Sequence, residues 1–217
     1  MMATDRYNQG RSSMRGNQNQ VDILNSLFPY KVCINLDRRP ERWERMKERF
    51  DQHRILSVVR FSAIDSLRIN IPDAWPYSPG HYGCLQSHLA VLKLAQKNKT
   101  PNILIFEDDC IFDPEFDEKF PHYIDQLPGN WDMLLLGGRH FEDPVKVSDN
   151  IVRPTMTYLT HAYALKSGIY NALVELCEQG RGAIDDHTAA LQKDFNCYCF
   201  SPDLVWQERI DSDTRPS

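Results

Sequence analysis

The sequence predicts an α/β fold, a mostly parallel central sheet flanked by helices, and three observations predict it. Apolar runs of strand length recur at Tyr30 to Leu36, Ile103 to Phe106 and Trp131 to Leu136, each too short for a helix. Between them lie longer stretches whose apolar residues return at helical spacing, the alternation expected of a parallel sheet with helical crossovers. The middle run, Asn102-Ile103-Leu104-Ile105-Phe106, follows the breaker Pro101 and ends abruptly in Glu107-Asp108-Asp109. Those acids fall at the carboxyl end of a buried strand, the edge where open α/β sheets bind ligands.

Taken in order, Tyr30 to Leu36 alternates Val32, Ile34 and Leu36 against Cys33 and Asn35, a strand pattern. Asp37 to Pro40 makes a polar turn, and Pro40 suits the first turn of a helix whose Trp43, Met46 and Phe50 recur on one face. Ile55 to Phe61 reads as a second strand. The segment Ser66 to Gly80 contains Pro72, Pro76 and Pro79 and is expected to be irregular. A helix is expected from Gly83 to about Lys97, with Leu85, Leu89 and Leu92 on its sheet-facing stripe. After the central strand come a helix over Glu115 to Leu127, a strand at Trp131 to Leu136, and Gly137-Gly138, where the backbone can turn tightly or approach a ligand. Arg139 to Asn150 is polar and reads as a mobile loop. Tyr158 to Leu165 reads as a strand and Gly168 to Glu178 as a helix ended by Gly180, followed by a helix from Ile184 to about Lys193 and a strand at Phe195 to Phe200.

A chain of 217 residues suffices for one domain with a sizeable core. We expect a polar, disordered leader over residues 1–25 and a single domain over 26–217. With 41% hydrophobic and 25% charged residues the composition is that of an ordinary globular protein. A net charge of -5 provides no basic field, which argues against generic nucleic-acid binding. No signal peptide or membrane span is apparent, so a cytoplasmic location and reduced thiols at Cys33, Cys84, Cys110, Cys177, Cys197 and Cys199 are expected. Cys197 and Cys199 alternate like a strand, which directs both sulfurs to one face.

Because side chains alternate along a strand, Glu107 and Asp109 can share one pocket while Asp108 faces away. Three adjacent carboxylates repel one another unless positive charge sits among them. A hard divalent cation such as Mn²⁺ or Mg²⁺, itself holding a diphosphate, would supply it. The alternative is that the acids only cap or solvate a loop. Asn35, Leu36, Arg38 and Arg39 occupy the first strand-to-helix turn, where amides and a guanidinium suit uridine or phosphate; for Arg39 and Arg42 a solvated helix charge is the simpler reading.

The ordered motifs resemble glycosyltransferase family 25, which includes lipooligosaccharide galactosyltransferases and procollagen galactosyltransferase domains. The resemblance is carried by Ile34-Asn35-Leu36-Asp37-Arg38-Arg39-Pro40-Glu41-Arg42, Ala63-Ile64-Asp65, Gly83-Cys84-Leu85-Gln86-Ser87-His88, Ile105-Phe106-Glu107-Asp108-Asp109, Thr160-His161-Ala162-Tyr163-Ala164-Leu165, Ile184-Asp185 and Pro202 to Gln207. It implies a GT-A-like fold, a UDP-galactose or UDP-glucose donor and transfer with inversion to a saccharide acceptor. It further implies that Glu107, Asp108 and Asp109 stand in for the Asp-x-Asp of such enzymes, with Glu107 and Asp109 expected on the metal, Glu107 and Asp108 expected at the donor nucleotide, and a hydrogen bond to the ribose as the alternative role of one of the acids. Asp185 matches the family's later single acid and is the expected base, with Asp186 in reserve; the competing role of Asp185 is to cap the helix that follows it. Asp65 is a candidate for ribose or base, Ser87 and His88 for the donor, and His161 for metal or donor. A core hydrogen bond is the competing role of both histidines.

The motif Asp185-Asp186-His187 departs from the family by its extra acid and histidine. The chain is also shorter than the collagen-modifying members, which favours a saccharide transferase over protein glycosylation. Two other classes remain: a module that binds a nucleotide sugar or glycan without turnover, and a nucleotidyl or phosphoryl transferase, against which stands the lack of a Gly-rich phosphate loop.

Overall fold

The computed structural model describes residues 23–208. Most of the expected leader lies outside them, but residues 23–27 already form a helix (α1) with Leu24 buried in the core. Packing therefore begins ahead of the boundary expected at residue 26.

The elements follow in order as β1 (Lys31–Asn35), α2 (Pro40–Gln52), β2 (Val58–Ser62), α3 (Pro79–Lys97), β3 (Asn102–Glu107), β4 (Cys110–Phe112), α4 (Phe116–Ile124) and β5 (Met133–Leu135). Then come β6 (Arg139–His140), β7 (Val145–Lys146), β8 (Ile151–Arg153), β9 (Thr157–Tyr158), β10 (Ala162–Lys166), α5 (Tyr170–Glu178), α6 (Ile184–Leu191), β11 (Cys197–Phe200) and β12 (Val205–Gln207). The main sheet has eight strands in the order β2-β1-β3-β10-β5-β11-β8-β7. β1, β2 and β3 run parallel, as do β5 and β11, while β10 and β8 run against their neighbours. β10 is reversed because the excursion through β6 to β9 leaves β5 at its carboxyl end and returns at that same end.

Alternation along β3 divides the core. Leu104 and Phe106 pack with Met46 and Phe50 of α2 and with Phe116 and Phe120 of α4. Ile103 and Ile105 pack with Leu85, Leu89 and Leu92 of α3 and Leu173 of α5. Fully burying side chains of this size stabilises the fold by about 1.5–3 kcal/mol each. Cys197 and Cys199 lie together on the second face, as their spacing predicts. The six cysteines are unbridged, and among the described residues no helix is long and apolar enough to cross a membrane.

Differences from the sequence reading are local. α3 begins at Pro79, a turn before Gly83. The stretch read as a mobile loop carries β6 and β7, and β8 follows it unforeseen; strands of two or three residues are too short to show a period. Tyr158 to Leu165 is two strands rather than one, divided at Leu159, whose φ is +82°.

Candidate active site

The sheet's strand order reverses between β1 and β3: the chain runs from β1 through α2 outward to β2, then back through α3 to β3 on the other side of β1. The loops at the two carboxyl ends diverge there, leaving a crevice. A cleft of about 230 Å³ occupies it, lined among others by Arg38, Asp65, His88, Glu107, Asp109 and Asp185.

Glu107 ends β3, and Asp108 and Asp109 form the turn into β4, where the three carboxyls take different partners. Glu107 continues the Ile103–Ile105 face and meets α3, with His88 Nε2 3.3 Å from Glu107 Oε1. Thr160 Oγ1 is 3.1 Å from the same oxygen. Asp108 turns to the opposite face, where Asn35 Nδ2 donates to Oδ2 at 2.7 Å and Arg42 Nη1 to Oδ1 at 3.1 Å. Asp109 Oδ2 accepts from Gln207 Nε2 at 3.1 Å, while its Oδ1 is buried without a hydrogen-bond partner.

These surroundings shift the carboxyls differently. Burial acts to raise Glu107, but the adjacent His88, with His161 and Thr160, brings it below the ordinary carboxylate value. Burial raises Asp108 in spite of Asn35 and Arg42. Asp109 is pushed up to about 8, first by burial and then by the charges of Glu107 and Asp108. Asp185 is raised to about 6 by burial and by Glu107.

Asp185 reaches the cleft from the first turn of α6, and its Oδ1 is 2.9 Å from Thr160 Oγ1. One hydroxyl therefore touches both Glu107 and Asp185, with a single proton to give. Asp186 points elsewhere: its Oδ2 accepts the Ala183 amide at 2.8 Å and its Oδ1 the Tyr158 hydroxyl at 3.1 Å. The capping role weighed for Asp185 belongs to Asp186, which does not line the cleft.

Leu36, Arg38, Asp65, Ser87 and His88 line the cleft as the sequence suggests. Arg38 Nε donates to Asp65 Oδ2 at 3.1 Å, which joins the ends of β1 and β2 across the rim. Ser87 Oγ donates to the Gly83 carbonyl and accepts the Ile64 amide, so it ties α3 to the loop after β2. Three expected contacts are not brought there. Asn35 is buried, donates to Arg39 O and Asp108, and accepts from Arg60, so it braces the β1 turn rather than facing a ligand. Arg39 sits outside the cleft, 3.8 Å from Glu41. His161 lies behind the cleft wall, its Nε2–H donating to Val205 O at 2.8 Å, which is the core hydrogen bond weighed against a metal role. Arg42, read as a solvated helix charge, is instead 6% exposed and paired with Asp108.

Sequence reasoning assigned no role to Thr160, Cys84 or Gln207, which also line the cleft. All three stand inside motifs shared with the family, and that position was their only signal. Glu107 and Asp109 both line the cleft, and Cys84, His88 and Glu107 form a group whose ligand atoms all lie within 4.8 Å of one another.

An acid-lined cleft at the reversal point of an open sheet defines a ligand-binding α/β domain. The sequence profile described as "Glycosyltransferase family 25 (LPS biosynthesis protein)" matches residues 29–184, and the chain belongs to that family. It is 27% identical over 155 residues to "Glycosyltransferase 25 family member" of Drosophila melanogaster, covering 61% of this chain and 25% of that protein. Over 160 residues it is 29% identical to "Procollagen lysyl hydroxylase and glycosyltransferase" of Acanthamoeba polyphaga mimivirus, covering 61% of this chain and 18% of that one. It is also 28% identical over 162 residues to the human "Inactive glycosyltransferase 25 family member 3", covering 64% of this chain and 27% of that one. The chain thus spans about a quarter or less of the length of these relatives.

Proposed function

We propose that this domain transfers a hexose, galactose or glucose, from a UDP-sugar to a hydroxyl of a saccharide acceptor with inversion at the anomeric carbon. The observation that carries the reading is the meeting of Glu107 and Asp185 at the Thr160 hydroxyl, beside an Asp109 whose Oδ1 is buried and unpartnered.

That orphaned oxygen, on a carboxyl pushed up by burial and then by its acidic neighbours, fits a cation-binding role. Glu107 and Asp109 would hold Mn²⁺ or Mg²⁺, whose chemistry when bound is to neutralise charge on the diphosphate leaving group. Arg38 and Asp65 hold each other at the rim and are the groups for the nucleoside side of the donor. Asp185 accepts the acceptor's hydroxyl proton. The acceptor oxygen bonds to the anomeric carbon, and the bond from that carbon to the β-phosphate oxygen breaks with its electron pair on UDP. A carboxyl of pKa about 6 is ionised at neutral pH yet basic enough for this work.

The acceptor depends on the segments 66–78 and 139–150. The family description refers to lipopolysaccharide and the mimivirus relative's name to procollagen lysine chemistry. A protein hydroxyl, of the hydroxylysine type, is therefore the second acceptor class to screen. A module that binds donor without turnover is the competing function, and one human relative is named inactive; the retained Glu107, Asp109 and Asp185 favour the enzyme.

Calorimetric titration of UDP and UDP-galactose, with Mn²⁺ and with chelator, on wild type and Asp109→Ala tests the donor site. Metal-dependent binding lost in the variant supports the reading, and a folded wild type that binds neither ligand refutes it. UDP release on adding acceptor then separates the enzyme from the module.

A further inference from the structure

We infer that the cleft contains a second, softer metal site, formed by Cys84, His88 and Glu107, that takes Zn²⁺ or a similar transition-metal cation. Cys84 and His88 are four residues apart on α3 and share one helix face. Glu107 approaches them from the end of β3, and the three ligand atoms lie within 4.8 Å of one another. In a tetrahedral zinc site, bonds of about 2.0–2.3 Å separate the ligand atoms by roughly 3.5 Å, so small side-chain rotations suffice.

His88 is the independent pointer to a ligand. It is fully buried, yet its Nε2 has no hydrogen-bond partner; Glu107 Oε1 stands 3.3 Å away without the alignment of a directed bond. Its other nitrogen, Nδ1, is 2.8 Å from the buried Tyr163 hydroxyl. The Nδ1 contact with Tyr163 turns Nε2 toward Glu107, and a metal takes Nε2 in the tautomer whose proton is on Nδ1, the outer-shell arrangement that orients a metal-binding imidazole.

The donor set chooses the metal. One sulfur, one imidazole nitrogen and one carboxylate suit Zn²⁺ or Co²⁺ better than Mn²⁺ or Mg²⁺, which favour oxygen. Three protein ligands beside an open cleft leave the fourth position to solvent or to an incoming group. Burial and the nearby acids keep the Cys84 thiol protonated in the metal-free protein, so binding expels that proton as the sulfur–metal bond forms. If Glu107 also serves the hard cation proposed above, the two metals compete, a consequence that rests on that reading; the binding itself does not.

The test is titration of Co²⁺ into the whole protein, followed by the near-ultraviolet sulfur-to-cobalt charge-transfer band and by its reversal with Zn²⁺. A saturable band in wild type, absent in Cys84→Ser and weakened about 10- to 100-fold in apparent affinity in Tyr163→Phe, supports the site. Circular dichroism of each variant verifies folding. No thiolate band in wild type, or a band that persists in Cys84→Ser, overturns it. The readout is the bound metal, so a thiolate band in a protein that fails to bind UDP upholds this site while refuting the transferase.

Discussion

Asp185 and Asp186 are neighbours in the chain but serve different structures: Asp185 Oδ1 meets Thr160 in the cleft, whereas Asp186 Oδ2 accepts the Ala183 amide at the start of α6. Helical rotation of about 100° per residue separates them. Asp185→Asn is expected to lower turnover by roughly 10²–10⁴-fold, the usual contribution of a positioned base, with UDP affinity retained. Asp186→Asn should instead reduce stability by about 1 kcal/mol through the weakened cap, read as a lower melting temperature. Equal losses of turnover in both variants would contradict this division.

The pH dependence follows from Asp185. Its pKa is raised to about 6, and the base works only when ionised, above that value. The acidic limb of kcat/KM is therefore expected to rise with pH and level off above about 6, falling tenfold per unit below it. Thr160→Val should move this limb, since the hydroxyl holds Asp185 and Glu107 together.

Asp108 and Arg42 form a buried pair with side chains 11% and 7% exposed. Removing one partner strands the other charge, so Asp108→Ala is expected to cost about 3–5 kcal/mol in denaturant unfolding. The double variant Asp108→Leu with Arg42→Met should lose less than Asp108→Ala alone, because no charge is left buried.

Gly83 is required by contact. A Cβ there would lie 2.7 Å from the Ile64 carbonyl oxygen and 3.1 Å from the Ser66 amide nitrogen, so α3 would be pushed off the loop carrying Asp65. Gly83→Ala is expected to destabilise by about 1–3 kcal/mol and to weaken UDP binding. Gly129→Ala, with nothing within 4 Å of the added carbon, is the control and should leave both unchanged.

Much of this cleft was legible because it follows from local rules. A strand has period two, so Ile103, Ile105 and Glu107 fall on one side of β3 by their order alone. Pro40 as a helix opener and Gly180, with φ +60°, as a helix end are local in the same way. The motifs shared with the family pointed to Asp185 before its surroundings were known. Arg42 was misread because its partner Asp108 is distant in sequence and a helical arginine looks solvated until something covers it. Asn35 and His161 stand off the cleft for a reason of the same kind: the groups that engage them, Asp108 and Arg60 in one case and the Val205 carbonyl in the other, come from other elements.

The sequence by itself determined the α/β class and the position of the acids at a strand's carboxyl end, because backbone geometry repeats over a few residues. The tertiary structure decided which groups meet: Thr160 between Glu107 and Asp185, Cys84 and His88 beside Glu107, and Asp108 paired with Arg42 at the cleft wall. Those encounters depend on how α2, α3 and α6 pack on the sheet, and packing is set by the summed burial of many side chains rather than by any one stretch of chain.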